Sequence, residues 1–162
     1  MTYYQVIQNA LQILYTKNQY AYFYGAKGQL LTEATMNALI QAEPNYFSQY
    51  TKQQLEDIKN FSRGKIGLDC SGFVSYISGE EGYSISLYEH CKVKTTPQLG
   101  VEGSLLFTTK GGVGRHVGID IGYGFFLHFP KEGRTCELGR IRDYVWEHSG
   151  QLSTIDYTGA KG

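Results

Sequence analysis

Net charge is the first thing this 162-residue chain lacks: fifteen lysines and arginines balance fifteen aspartates and glutamates. Without a diffuse positive field, nucleic acid and anionic membrane surfaces are not its default partners. Long apolar runs are missing too, since nothing approaches the ~18 residues of a membrane span. The opening stretch Met-Thr-Tyr-Tyr-Gln-Val-Ile-Gln-Asn-Ala has no basic start, apolar core or cleavage site of a secretory leader. The expectation is a chain without membrane insertion, either cytoplasmic or exported by a non-classical route. Proline is scarce, at three residues, and so is cysteine. Cys70, Cys91 and Cys136 form an odd set with no Cys-x-x-Cys pair, which excludes a disulfide framework and zinc knuckles and leaves at least one free thiol. Charged residues are only 19 % against 41 % hydrophobic ones, which excludes a disordered chain.

Glycine and tyrosine are what the chain has in quantity, at 20 and 14 residues. They point to many turns and to half-wet surfaces such as a groove for a polar substrate. Tyr3, Val6, Ile7, Ala10, Leu11 and Leu14 make a helical stripe over about 2–16. After the glycine-flanked stretch Tyr22 to Gly28, the pattern from Leu30 to Lys65 turns helical, with Thr32 and Thr51 as N-caps and a break at Pro44. Asp69 is an N-cap for a helix opening at Cys70 and closing at Gly79, with Cys70, Phe73, Val74 and Ile77 on one face. Past Gly100 the period becomes two, with strands at 105–108, 117–121 and 125–129. Helices first and antiparallel strands later predict a single α+β domain over 1–162, with the helical pair at about 30–65 as an insertion.

The chemistry gathers at three residues. A cysteine is a nucleophile as thiolate, and a helix N-terminus lowers its pKa from ~8.5 towards ~3.5–7.5. Cys70 has that position. In a hairpin turning at Gly122-Tyr123-Gly124, the odd residues Val117, Ile119, Ile121, Phe125, Leu127 and Phe129 form an apolar face. The even residues His116 and His128 then share the other face, with Gly118 leaving room for a partner. Cys70, His116 and His128 can thus serve as nucleophile, base and orienting group. Taken singly, Cys70 reads as packing and each histidine as an ordinary strand residue; the Asp-Cys-Ser-Gly context and the joint parity of the histidines reverse that reading.

Asp-Cys-Ser-Gly-Phe-Val at 69–74, Arg-His-Val-Gly-Ile-Asp-Ile-Gly at 115–122, a second histidine twelve residues past the first, and the upstream Tyr-Phe-Tyr-Gly resemble the NlpC-type bacterial cell-wall cysteine peptidases. The resemblance covers about 20–129. It implies a papain-like fold in which the helix bearing the nucleophile packs on a mainly antiparallel sheet. It also implies Cys70 as nucleophile, His116 as base and His128 as its orienting partner. Tyr22, Asp69 and Ser71 are implied to line the cleft and contact the peptide or its amino end, with no metal or organic cofactor. The implied reaction is hydrolysis of peptidoglycan stem peptides at the γ-D-glutamyl to diamino acid bond. Alternatives are an N-acetylmuramoyl-L-alanine amidase, an amine-accepting acyltransferase, or an inactive wall-binding module. The setting could be phage lysis, a secreted effector or fragment recycling. Two departures stand out: Ser104 follows Gly103 where the family commonly has aspartate, and Gly25 is separated from Cys70 by an unusually long segment. That segment is expected to be a lid or wall restricting the groove in favour of small fragments.

The other candidates read as structural. His90 with Cys91 lacks the count for a zinc site, and Cys136 and His148 stand alone. Gly111-Gly112-Val113-Gly114 and Gly25-Ala26-Lys27-Gly28 lack the Lys-Ser/Thr of a phosphate loop; the former reads as a turn before His116. Asp120 reads as a solvated edge carboxylate.

Overall fold

The computed structural model describes residues 1–109 and 116–162. The expected turn at 111–114 lies outside them. Helix α1 (Tyr3–Tyr15) begins at a capping box in which Thr2 Oγ1 accepts from the Gln5 N–H and Gln5 Oε1 accepts from the Thr2 N–H. Its buried stripe is Val6, Ile7, Ala10 and Ile13.

The next stretch departs from the helix-then-strand expectation. Strands β1 (Tyr20–Tyr22), β2 (Lys27–Leu30) and β3 (Ile66–Leu68) form a small mixed sheet in the order β1-β3-β2. Three or four residues are too few to show a period, so this sheet leaves no trace in the hydrophobic pattern. Between β2 and β3 run α2 (Glu33–Ala42), α3 (Pro44–Phe47) and α4 (Lys52–Ser62). Thr32 and Thr51 cap α2 and α4 as expected, and Pro44 opens α3 rather than merely ending α2. Met36, Phe47 and Ile58 from these helices share a core with Ala21, Phe23, Ala26 and Leu31. The 30–65 segment is therefore welded to β1 and to the chain around it.

Helix α5 (Cys70–Ser78) is capped by Asp69, whose Oδ1 accepts from the Gly72 N–H at 2.7 Å, and ends at Gly79 in a left-handed conformation, φ +75°. A short α6 (Ser84–Glu89) follows. The second half builds a six-stranded antiparallel sheet from β4 (Cys91–Thr95), β5 (Leu105–Thr108), β6 (His116–Gly122), β7 (Phe125–His128), β8 (Glu137–Arg140) and β9 (His148–Leu152). Its order is β4-β9-β5-β6-β7-β8. One face packs on α1 and α5, uniting Val6, Ala10, Phe73, Val74 and Ile77 with Leu105, Phe107, Val117, Ile119, Leu127 and Phe129. The other face carries a smaller cluster of Leu106, Phe126, Ile141 and Trp146.

The odd-even reading of the hairpin holds for Val117, Ile119, Leu127 and Phe129. It fails at the turn. The register runs Ile119↔Leu127 and Asp120↔Phe126 but then Gly122↔Phe125, so β6 carries one extra residue there. Ile121 is partly buried but still packs against the main core, whereas Phe125 leaves it to lie under the Arg140 guanidinium, 5.9 Å from its ring centroid. Asp120 is also corrected. It is 5 % exposed, not solvated, and its Oδ1 accepts from the Gly122 N–H to brace the bulge; burial pushes its carboxyl up to about 6. Ser104, where the carboxylate was missed, is fully buried, and the turn closes through Asp120 N–H donating to the Ser104 carbonyl at 2.9 Å.

No helix among the described residues is long and apolar enough to cross a membrane. All three cysteines are free. Cys91 and Cys136 are buried in the main core, while His90 pairs with Glu80 at 3.2 Å and His148 lies beside Tyr88.

Candidate active site

The first turn of α5 sits against the loop before β2. A side chain on Gly72 would place its Cβ 2.4 Å from the Ala26 carbonyl oxygen and 2.9 Å from Asp69 Oδ1. Only glycine permits this approach, which explains its place two residues after Cys70. Asp69 then anchors both sides, since its Oδ2 accepts from the Gly25 N–H at 3.0 Å. On the opposite side, the Cys70 sulfur meets the backbone N–H of Val117, the residue after His116. Helix start and strand start thus converge on Cys70.

The two histidines are joined. His116 Nε2 lies 2.8 Å from His128 Nδ1, the ring centroids 5.0 Å apart. Extending the Ile119↔Leu127 pair by one places Gly118 opposite His128, so His116 is its diagonal neighbour on the same face. Because Nε2 of His116 is occupied, Nδ1 is the nitrogen left for a thiol.

The room beside Gly118 is filled by an aromatic residue. A Cβ on Gly118 would stand 2.9 Å from the edge of Trp146. That indole stacks on His116, 10° from parallel with centroids 5.5 Å apart, and Tyr144 and Phe126 pack around His128 at 5.2 and 5.0 Å. Neither Trp146 nor Tyr144 lies in a periodic segment; that Trp146 is the sole tryptophan is the only hint the sequence carries.

Protonation runs against the simple helix-terminus expectation. Burial pushes the Cys70 thiol up to about 12, with the Asp69 charge adding to it; the N–H groups of Val117 and Ser71 and the Lys27 charge pull the other way. Burial and the neighbouring His128 hold His116 down to about 3, and burial with the Arg134 charge holds His128 down to about 4. Desolvation outweighs the helix dipole here, so the resting pair is thiol and neutral imidazole.

Cys70 opens into a cavity of about 340 Å³ lined by Tyr22, Asp69 and Ser71, the three residues expected there, together with Tyr24, Tyr83 and Ile85. Leu39, Ala42 and Glu43 from the end of α2 form one wall. Tyr22 is buried, and its hydroxyl hydrogen-bonds Tyr46, which donates to Glu132 Oε2 at 3.0 Å. Tyr46 also stacks on Tyr24, centroids 3.8 Å apart. Burial lifts the Glu132 carboxyl to about 7. This relay and Lys27, which pairs with Asp69 at 3.1 Å, leave no local signal in the sequence, because the partners lie 24 to 86 positions apart. A cavity of about 380 Å³ beside the β6–β7 turn holds neither Cys70 nor either histidine.

Among known proteins, the chain is 34 % identical over 89 residues to a γ-D-glutamyl-L-lysine dipeptidyl-peptidase of Bacillus subtilis, covering 50 % of this chain and 30 % of that one. It is 31 % identical over 85 residues to protein P54 of Enterococcus faecium, covering 49 % and 16 %. The chain therefore spans less than a third of the length of these relatives. In three dimensions it resembles the NlpC/p60 domain of the peptidoglycan hydrolase SagA, with a TM-score of 0.59 at 19 % identity over 94 % of this chain and 100 % of that one. It also resembles the peptidoglycan hydrolase RipB of Mycobacterium tuberculosis, with a TM-score of 0.57 at 17 % identity over 93 % and 66 %. The fold is thus the papain-like α+β fold of these structures. The NlpC/P60 family profile matches residues 22–151, four-fifths of the sequence, and the chain belongs to the NlpC/P60 family.

Proposed function

We propose that this protein is a cysteine peptidase that hydrolyses peptidoglycan stem peptides at the bond between γ-D-glutamate and the diamino acid. The observation that carries the proposal is Cys70 at the start of α5, beside the strand whose first residue, His116, is hydrogen-bonded to His128 at 2.8 Å. The Bacillus relative, named for γ-D-glutamyl-L-lysine, supports the choice of bond.

In this mechanism His116 Nδ1 accepts the thiol proton as Sγ attacks the amide carbon. Nε2–H of His116 must then donate to His128 Nδ1, which requires His128 to be neutral, and burial keeps it so. N–H groups at the start of α5 stabilise the oxyanion. The C–N bond breaks, the amine leaves with the proton from His116, and a thioester remains on Cys70. Water, deprotonated by His116, hydrolyses the thioester and restores the thiol. No metal or organic cofactor takes part. Tyr22 and Ser71 contact the substrate, Asp69 fixes the cleft floor, and the end of α2 narrows the entrance and limits what enters.

Defined muropeptides incubated with wild type and Cys70→Ala, with product masses measured, test this reading. Release of the diamino acid portion by wild type alone is the expected result. Cleavage after the muramoyl group identifies an amidase, and an adduct with added amine identifies a transferase. Equal activity in Cys70→Ala, or no turnover by wild type, overturns the assignment.

A further inference from the structure

Asp69 is a buried carboxylate, 5 % exposed, at the floor of the Cys70 cavity. A carboxylate in such a place is a seat for a cation, because a buried charge is stable only when paired. In this protein the cation is already there. Lys27 Nζ lies 3.1 Å from Asp69 Oδ1, donates to Ser71 Oγ at 2.6 Å, and stands 4.9 Å from the centroid of the Tyr83 ring. Asp69, Ser71 and Tyr83 all line the cavity. The other bonds of Asp69 are internal as well: it accepts from the N–H groups of Gly72 and Gly25 and from the Ser71 hydroxyl.

The backbone fixes Lys27 in this role. Lys27 pairs with Leu68 across β2 and β3, next to Asp69 in the chain, so the ammonium is held beside the carboxylate by strand register. An ammonium has three N–H donors; Asp69 and Ser71 take two, and the side chain is 31 % exposed on the side of a neighbouring cavity that Lys27 lines and that shares Tyr83 with the Cys70 cleft, so the third is free at the border of the two.

We infer that Lys27 is a specificity-determining residue: its ammonium occupies the cation seat of the Cys70 cleft and selects peptides whose amino end is acylated over peptides with a free α-ammonium. A free ammonium entering the seat meets a like charge, and the carboxylate oxygen that faces it, Oδ1, already accepts from Lys27, Ser71 and the Gly72 N–H. An acylated amino end is neutral, and its carbonyl can accept the third Lys27 proton. The substrate class is thus a stem peptide still joined through its amino end to a carboxyl group, as in a muropeptide. This inference rests on the proposed reading of the cleft as a peptide site.

The test is binding, so it does not depend on turnover. Calorimetry compares Cys70→Ala and Cys70→Ala/Lys27→Met, each with an Ala–γ-D-Glu–Lys peptide in free-amine and N-acetyl forms. Cys70→Ala should bind the acetylated form about tenfold or more tightly. Lys27→Met should abolish or reverse that preference by strengthening the free-amine peptide, and Lys27→Arg should keep it. A preference unchanged by Lys27→Met, tighter binding of the free amine by Cys70→Ala, or no binding of either form overturns the inference. If the methionine variant does not fold, the preference of Cys70→Ala alone decides in the same way. Peptide discrimination without hydrolysis by the wild type would sink the proposed activity and leave the inference standing.

Discussion

The indole of Trp146 lies flat against the imidazole of His116, 5.5 Å away and 10° from parallel, in space that exists because residue 118 is glycine. Stacking on one face and the His128 bond at Nε2 leave the His116 ring one orientation, with Nδ1 free for a thiol. Such a fixed ring suits the base role proposed for His116, because a group held in geometry before substrate arrives has no orientational freedom left to lose.

Replacing Trp146 by alanine should therefore cost stability and turnover together. Its burial at 7 % exposure predicts a loss of about 3–5 kcal/mol. Trp146→Phe keeps a ring over His116 and should recover most of kcat. Thermal melts and steady-state kinetics on both variants check this; equal kcat for the alanine and phenylalanine variants would remove the positioning role.

The histidine pair predicts an acid limb. His116 is held down from 6.5 to about 3 and His128 to about 4, so the unfolded chain binds more protons than the native one between these values. Stability contributed by the pair is present above 6.5 and is lost as pH falls towards 4. His128→Gln, whose amide oxygen still accepts from His116, should flatten that limb while retaining much of the activity. His128→Ala should lose up to about 10⁴-fold in kcat. Melting temperatures from pH 4 to 7.5 and kcat at pH 7.5 provide the measurements.

Cys70 should label with iodoacetamide ever faster towards alkaline pH, because its thiol is pushed up to about 12. Cys91 and Cys136, pushed to about 11 and about 12 and buried in the core, should label only on unfolding. Rate against pH for each thiol, read by peptide mass, tests this. A plateau below pH 7 at Cys70 would mean that the resting state is a thiolate-imidazolium pair.

Glu132 acts with the opposite sign to the histidines. Its carboxyl is raised from 4.5 to about 7, so the native state binds the extra proton and stability falls as pH rises through that window. Glu132→Gln keeps an acceptor for Tyr46 without the buried charge, and should stabilise the protein at pH 8 by about 2–3 kcal/mol. Denaturant melts at pH 5 and pH 8 should show the gain only at the higher pH.

Much of this site was legible along the chain because its parts are local. Asp69 as cap and Cys70 at a helix start follow from a few adjacent residues. The shared face of His116 and His128 follows from parity about a glycine turn, and it survives the bulge because both lie beyond it. The same parity rule reached too far at Phe125, which sits at the turn end of β7 opposite Arg140, beyond the part of the face that the main core covers. The three short strands around Ala21 were invisible for want of length, and so the 30–65 segment looked more detachable than its shared core allows.

Sequence alone determined the α+β class and the placing of Cys70, His116 and His128 at a helix start and on one hairpin face, because helix capping and strand alternation are short-range rules written in neighbouring side chains; the papain-like fold was implied by the resemblance of their motifs to a known family. Only the tertiary structure decided what surrounds them: Trp146 on His116, Lys27 on Asp69, and Tyr46 between Tyr22 and Glu132. Those contacts join residues far apart in the chain, and burial there raises the Cys70 thiol against the pull of its own helix. Desolvation depends on every atom packed nearby, a property no local pattern records.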